Sequence, residues 1–181
     1  MERDENHLED ETGRKDNVEK IIKGWLPVGT KVDLTSVGPW DDNMKPLHAE
    51  GTMTITGVAA ATGQRMLLPI EIFAGRYEDV FSAEKRVNMI DFRYRFEDID
   101  DIKLTPPSGY TVSSVPKPGQ VDAGAVVYTI EAKQDGGALE VKRQFVMKGV
   151  VFEPKYYNSV RSLFGAVKAN DNAQAILAKS N

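Results

Sequence analysis

The sequence predicts a mostly β fold: an antiparallel β-sandwich with a short N-terminal helix and a C-terminal amphipathic helix packed on it. Three observations carry this. Between Lys31 and Met147 the apolar residues recur mainly with period 2. Pro, Gly, Asn and Asp interrupt that alternation at short intervals, as they do between the strands of all-β domains. Only two segments, one near each end, change to helical period.

Residues 1–17 are polar, hold one leucine and have no period, which predicts a flexible arm ahead of a single domain over 18–181. Asn17 is the expected N-cap of a helix whose apolar stripe is Val18, Ile21, Ile22 and Trp25, ended by Gly24 and Pro27. "KVDLTSV" then alternates, and "GPWDDNMKP" is a loop. "HAEGTMTITGV" sets Met53 and Ile55 against threonines, the pattern of a half-buried strand. "AAATGQ" reads as a turn before the strand "RMLLPIEIF". Pro69 cannot donate to a ladder, so an edge or a bulge is expected there.

"NMIDFRYRF" gives the cleanest alternation, with Ile90, Phe92, Tyr94 and Phe96 facing one way and Asp91, Arg93 and Arg95 the other. Next, "IKL" and "YTVSSV" flank "PPSG", which predicts a hairpin. A second hairpin joins "VVYTIEAK" to "LEVKRQFVMKGV" through "QDGG". Arg143 falls on its apolar side and is expected to snorkel. Tyr157, Val160, Leu163, Phe164 and Val167 define the C-terminal helix, and "DNAQAILAKSN" reads as a polar tail.

Composition narrows the chemistry. The formal net charge is −4 and the basic residues are scattered, which argues against nucleic acid as a partner. No cysteine is present, so disulfides, thiolate metal sites and a thiol nucleophile are excluded for this chain. No stretch reaches the roughly 20 apolar residues of a membrane span. The charged start has no apolar h-region, so the targeting segment of any parent protein is expected elsewhere. His7 and His48 have no sequence neighbours that would make a zinc site or a catalytic dyad, and both read as exposed. No cofactor motif occurs. The acidic run "EDIDD" lacks the spacing of a calcium loop, so its acids should fan into solvent from a strand anchored by Ile99 and Ile102. Candidate binding residues are Asp98 and Asp100 of that run and Trp40, whose Gly-Pro-Asp loop favours exposure; no catalytic or metal residue is assigned.

Several motifs recur in a familiar order. "LLPIEIF" comes first, then "RVNMIDFRYRFEDIDDIKLTPPSGYTVSSVPKPG", then "KYYNSVRSLFGAVKANDN". The ordered set resembles the C-terminal region of bacterial transglutaminase-like proteins over about Trp25 to Asn172. In those proteins a papain-like core precedes an uncharacterised β domain. The resemblance implies that the catalytic Cys, His and Asp lie upstream of this region, and nothing here matches them. It therefore implies a non-catalytic accessory domain whose partner is a transglutaminase-like core in the same polypeptide or operon. It also implies a periplasmic or extracellular parent protein. The alternative from the residues themselves is an independent peptide- or glycan-binding module, and a hydrolase working through a carboxylate pair ranks last.

Overall fold

The structure, a computed structural model, describes residues 9–42, 44–55, 57–73 and 81–180. It is mostly β, with several antiparallel sheets and two long helices, one of them C-terminal, in a sandwich-like arrangement. The chain forms two compact units, Met1–Val58 and Ala59–Asn181.

The first unit is a helix against a hairpin. Helix α1 spans Glu11–Trp25 and its N-cap is Asp10, whose carboxylate accepts the Gly13 N–H at 2.8 Å. The helix thus begins inside the segment expected to be an arm, ahead of the expected cap at Asn17. Glu19 and Lys23 pair at 3.0 Å one turn apart, and the helix runs through Gly24 before Leu26 closes it onto Lys23 O. Strand β1 (Lys31–Gly38) pairs antiparallel with β2 (His48–Thr54), with a bulge between Leu34 and Ser36. Val32 and Leu34 of β1 are buried, as are Val18 and Leu26. Strand β2 is exposed along its whole length, so the half-buried strand expected around Met53 is not found, and Met53 is 41% exposed.

The second unit holds the large core. Four strands, β6 (Phe96–Leu104), β10 (Ala138–Met147), β9 (Val126–Asp135) and β8 (Gly119–Asp122), lie in that order. A second sheet has the order β3 (Ala60–Thr62), β4 (Arg65–Pro69), β12 (Gln174–Lys179) and β7 (Tyr110–Ser114). A short ribbon pairs β5 (Ile90–Asp91) with β11 (Val151–Phe152). Helix α2 (Tyr157–Asp171) follows a 3₁₀ turn at Pro154–Tyr156. All five residues of its predicted stripe are buried, and Phe164 meets Phe145 of β10 ring to ring at 5.6 Å. One core joins the first sheet, α2, and Ile70, Val112, Ala175 and Leu177 from around the second sheet.

The β9–β10 hairpin follows its alternation. Asp135 faces Ala138, and Gly136 and Gly137 both take positive φ, 53° and 85°, as a type I′ turn requires. Five other expectations need correction. The strand read over Ile90–Phe96 breaks after Asp91. The Asp91 carboxylate accepts the Arg93 N–H at 2.7 Å, Arg93 sits at φ 65°, and Tyr94 ends 49% exposed while Phe92 still packs inward. Residues 102–115 are no hairpin: β6 pairs with β10 and β7 with β12, so the Pro-Pro-Ser-Gly turn carries the chain from one sheet to the other. Strand β4 is interior, and Pro69 is tolerated because it is the last residue paired. "AAATGQ" contributes β3 as well as a turn. The supposed polar tail is the interior strand β12, in which Ala175 and Leu177 are fully buried because β4 and β7 flank it.

Candidate functional site: a sealed ion cluster

Alternation along β10 turns Val141, Arg143 and Phe145 to the same inner face. Opposite Arg143 stand Asp100 on β6 and Ile130 on β9, and Gly119 on β8 faces Ile130. The last residue of α2, Asp171, reaches the same place. Arg143 Nε and Nη2 donate to the two oxygens of Asp171 at 2.8 and 3.0 Å, a bidentate pair, and Nη1 donates to Asp100 at 3.2 Å. The Tyr128 hydroxyl donates to Asp171 Oδ1 at 2.7 Å, and the guanidinium carbon lies 5.3 Å from the Tyr128 ring centre. Glu71, two residues beyond β4, completes the group with Oε2 3.9 Å from Arg143 Nε. Arg143 and Asp171 are each 2% exposed and Glu71 is 3% exposed. Expected snorkelling of Arg143 is therefore corrected: its head is interior because two carboxylates meet it there.

The approach of α2 depends on a glycine. A Cβ on Gly119 would press on the Asn170 side chain and the Ile130 methyl, so glycine gives the helix end room on β8 beside the cluster. Asp171 ends the helix, where the macrodipole opposes a negative charge. The bidentate guanidinium offsets that opposition. Burial works against the charge of Arg143, but the hydrogen bonds and charge of Asp171 outweigh it and hold the guanidinium more firmly protonated than in water. Burial, reinforced by the bond to Asp171, pushes the Tyr128 phenol well above its ordinary range. Burial, then the charge of Asp100, push the Glu71 carboxyl up to about 7, against the Phe73 N–H and Arg143.

Chemically the cluster is engaged with itself. Its ionisable groups are almost fully buried, and they act as a staple between elements distant in sequence. The β6–β10–β9–β8 sheet carries a shallow depression of about 450 Å³, lined by Ile99, Thr129, Lys142 and Gln144 among others, with Asp100 and Arg143 of the cluster also on its wall. There Lys142 pairs with Asp101 at 3.6 Å and Gln144 donates to Glu97 at 2.6 Å. No group of His, Asp or Glu side chains among the described residues is placed to hold a metal ion. No helix among them is long and apolar enough to cross a membrane.

The sequence-predicted residues separate. Asp100 is 9% exposed and bonded to Arg143, which corrects the expectation that it fans into solvent. Its strand pairs only even residues with the inner face, so Ile102 points inward and Ile99, at odd spacing, points out. Asp98 shares the inner face, half-buried opposite Phe145. Trp40 belongs to the first unit and is half-buried beneath the Arg14 guanidinium, 5.4 Å from the ring centre. His48 is exposed at the start of β2, and His7 lies outside the described residues. Sequence reasoning missed Glu71, Tyr128 and Asp171 as members of one site. The available signal was Arg143 itself, a cation at an apolar strand position that demands buried partners.

The family described as a domain of unknown function with a solved structure (DUF3858) matches residues 64–177, most of the second unit. No curated protein matches the chain. Among solved structures, one from Parabacteroides distasonis ATCC 8503, described as a "putative protease", is 21% identical with a TM-score of 0.47. The similarity covers 53% of this chain and 19% of that one, so the matched region spans about a fifth of that protein.

Proposed function

The chain belongs to the DUF3858 family, and we propose from that premise that it is a non-catalytic β domain that supports or positions a transglutaminase-like catalytic core outside this chain. The observation that carries the reading is the cluster around Arg143. The interior gathers its ionisable groups to bind one another, with guanidinium, phenol and two carboxylates already hydrogen-bonded. A general acid or base must reach a substrate proton. Groups sealed this way serve the body of the domain instead. The ordered motifs from "LLPIEIF" to "KYYNSVRSLF" support the choice of core, and the same resemblance supports a periplasmic or extracellular parent.

The domain acts by contact, so two measurements test it. The purified chain, with and without calcium, should turn over no casein, peptide or glycan substrate. The reading further expects a core with Cys, His and Asp encoded upstream, in the same reading frame or operon, and titration calorimetry should detect its binding to this chain. Turnover abolished by Asp98→Asn would overturn the non-catalytic half. A core that leaves the calorimetric baseline flat would overturn the partner.

A further inference from the structure

Exposed apolar surface in the second unit gathers in one place. Among its described residues, six large apolar side chains stand well exposed. All but Ile99 belong to the β5–β11 ribbon and its flanks: Val87, Met89, Tyr94, Val151 and Tyr156. The register explains the outward set. Ile90 faces Phe152 on the inner side, and Val151 faces Asp91 on the outer, to which alternation also turns Met89. Arg86 donates to the Asn88 and Met89 carbonyls and so holds Val87 beside the ribbon. Cations adjoin this surface. Arg95 and Lys148 share the wall of a depression of about 520 Å³ where β6 begins and β10 ends, with Glu97, itself bonded to Gln144. Arg93, Arg95 and Lys148 are exposed and enter no ion pair among the described residues. Farther along the same sheet, Lys103, Lys133 and Lys142 all pair with acids. Over 82–95 and 148–156, six Lys and Arg stand against three Asp and Glu, a local excess of positive charge in a chain whose formal net charge is −4. The bend at Arg93 belongs to the same surface. Its φ of 65° is a strained conformation for a residue other than glycine, held by the Asp91 carboxylate, and it leaves Tyr94 49% exposed.

We propose that the β5–β11 ribbon and the adjoining ends of β6 and β10 form a docking surface for another protein, one that presents carboxylates around an apolar centre. Exposed apolar side chains rimmed by charge mark interaction sites, and Met, Tyr and Arg are residue types enriched there. Charge selects the occupant. A second copy of this chain, meeting the patch across a two-fold axis, would set the same cations against one another. The exposed apolar side chains are Val, Met and Tyr, without the Trp, Phe or Leu by which a surface enters a bilayer. An acidic partner gives Arg93, Arg95 and Lys148 the counter-ions that no described residue supplies. Any protein with that surface qualifies, whether or not it is the catalytic core proposed above.

The probe is a short synthetic peptide of alternating Glu and Leu, titrated into the full chain labelled with nitrogen-15. Saturable amide shifts should cluster at Met89, Arg93, Arg95, Lys148 and Val151. Added salt should weaken them. The double variant Arg95→Glu with Lys148→Glu should bind the peptide about tenfold more weakly, and both changes fall at exposed positions that the fold does not need. Val151→Glu, on the other strand of the ribbon, should weaken it likewise. A peptide of alternating Lys and Leu should leave those amides unmoved. Shifts elsewhere, equal shifts from the two peptides, or none that saturate would overturn the proposal. Binding to anionic phosphatidylglycerol vesicles without binding to the acidic peptide would also overturn it, by making the patch a membrane contact. So would a dimer in sedimentation that Val151→Glu dissolves, because the occupant would then be a second copy.

Discussion

Among the described residues, two α-helices of fifteen residues each are held by opposite means. Helix α1 has a side-chain N-cap, an i,i+4 ion pair and a single buried residue, Val18. Helix α2 has no side-chain cap, yet six of its residues are buried, including the charged Asp171. Isolated helices of this length are marginal in water. Local devices worth a few tenths to about 1 kcal/mol each sustain the first, whereas the second rests on apolar area and on one buried ion pair. Capping and packing are thus alternative routes to the same secondary structure, and they predict different responses to mutation.

The largest effect should follow Arg143→Ala. It leaves Asp171 and Asp100 buried without their cation, a loss on the order of 3–5 kcal/mol. Unfolding followed by far-UV circular dichroism should show it. A loss below about 1 kcal/mol would mean that α2 is held by its apolar stripe alone.

A matched pair comes next. Val167→Ala in α2 removes a side chain with no exposure from the middle of the large core and should cost about 2–3 kcal/mol. Val18→Ala in α1 makes the same chemical change at the rim of a small core and should cost about 1 kcal/mol. Both tryptophans of the chain, Trp25 and Trp40, lie in the first unit, so their fluorescence follows that unit while Tyr128 and the strands report on the other. Equal losses from the two substitutions would break the comparison.

The smallest effect belongs to the cap. Asp10→Ala should cost about 1 kcal/mol, visible in the tryptophan transition and absent from the second unit's. A cap effect of that size in both transitions would show the two units unfolding as one.

Legibility in the sequence followed the range of the interactions. The β9–β10 hairpin and the stripe of α2 are local patterns, a Gly-Gly turn between alternating runs and a repeat of 3.6, and both stand where the pattern puts them. The break at Asp91–Arg93 was hidden because one side-chain-to-backbone bond overrode an otherwise regular alternation. Strand β12 was hidden because its small residues, Ala175 and Ala178, look unremarkable until β4 and β7 close on either side. The site was half legible. Period 2 places Arg143 inward, and it would have placed Asp100 inward with Ile102 and Leu104 had Ile99 not been taken as an anchor too. Asp171 and Glu71 could not be assigned to Arg143 by spacing: Asp171 lies 28 residues away and acts from a helix end, and Glu71 acts from just past β4 of the second sheet.

Strand β12 also has a consequence for the order of assembly. During synthesis β4 and β7 emerge well before it, yet neither bonds the other, because β12 is the element between them. Until residue 179 is made, the two strands lack the neighbour that both of them pair with. The first sheet has its four strands once Met147 is out, so it can form while the second waits. Joining the two then requires closure over a long stretch of chain, a step that topology makes slow. Strand β12 is thus the keystone of the second sheet, joining two strands that lie far before it in the chain.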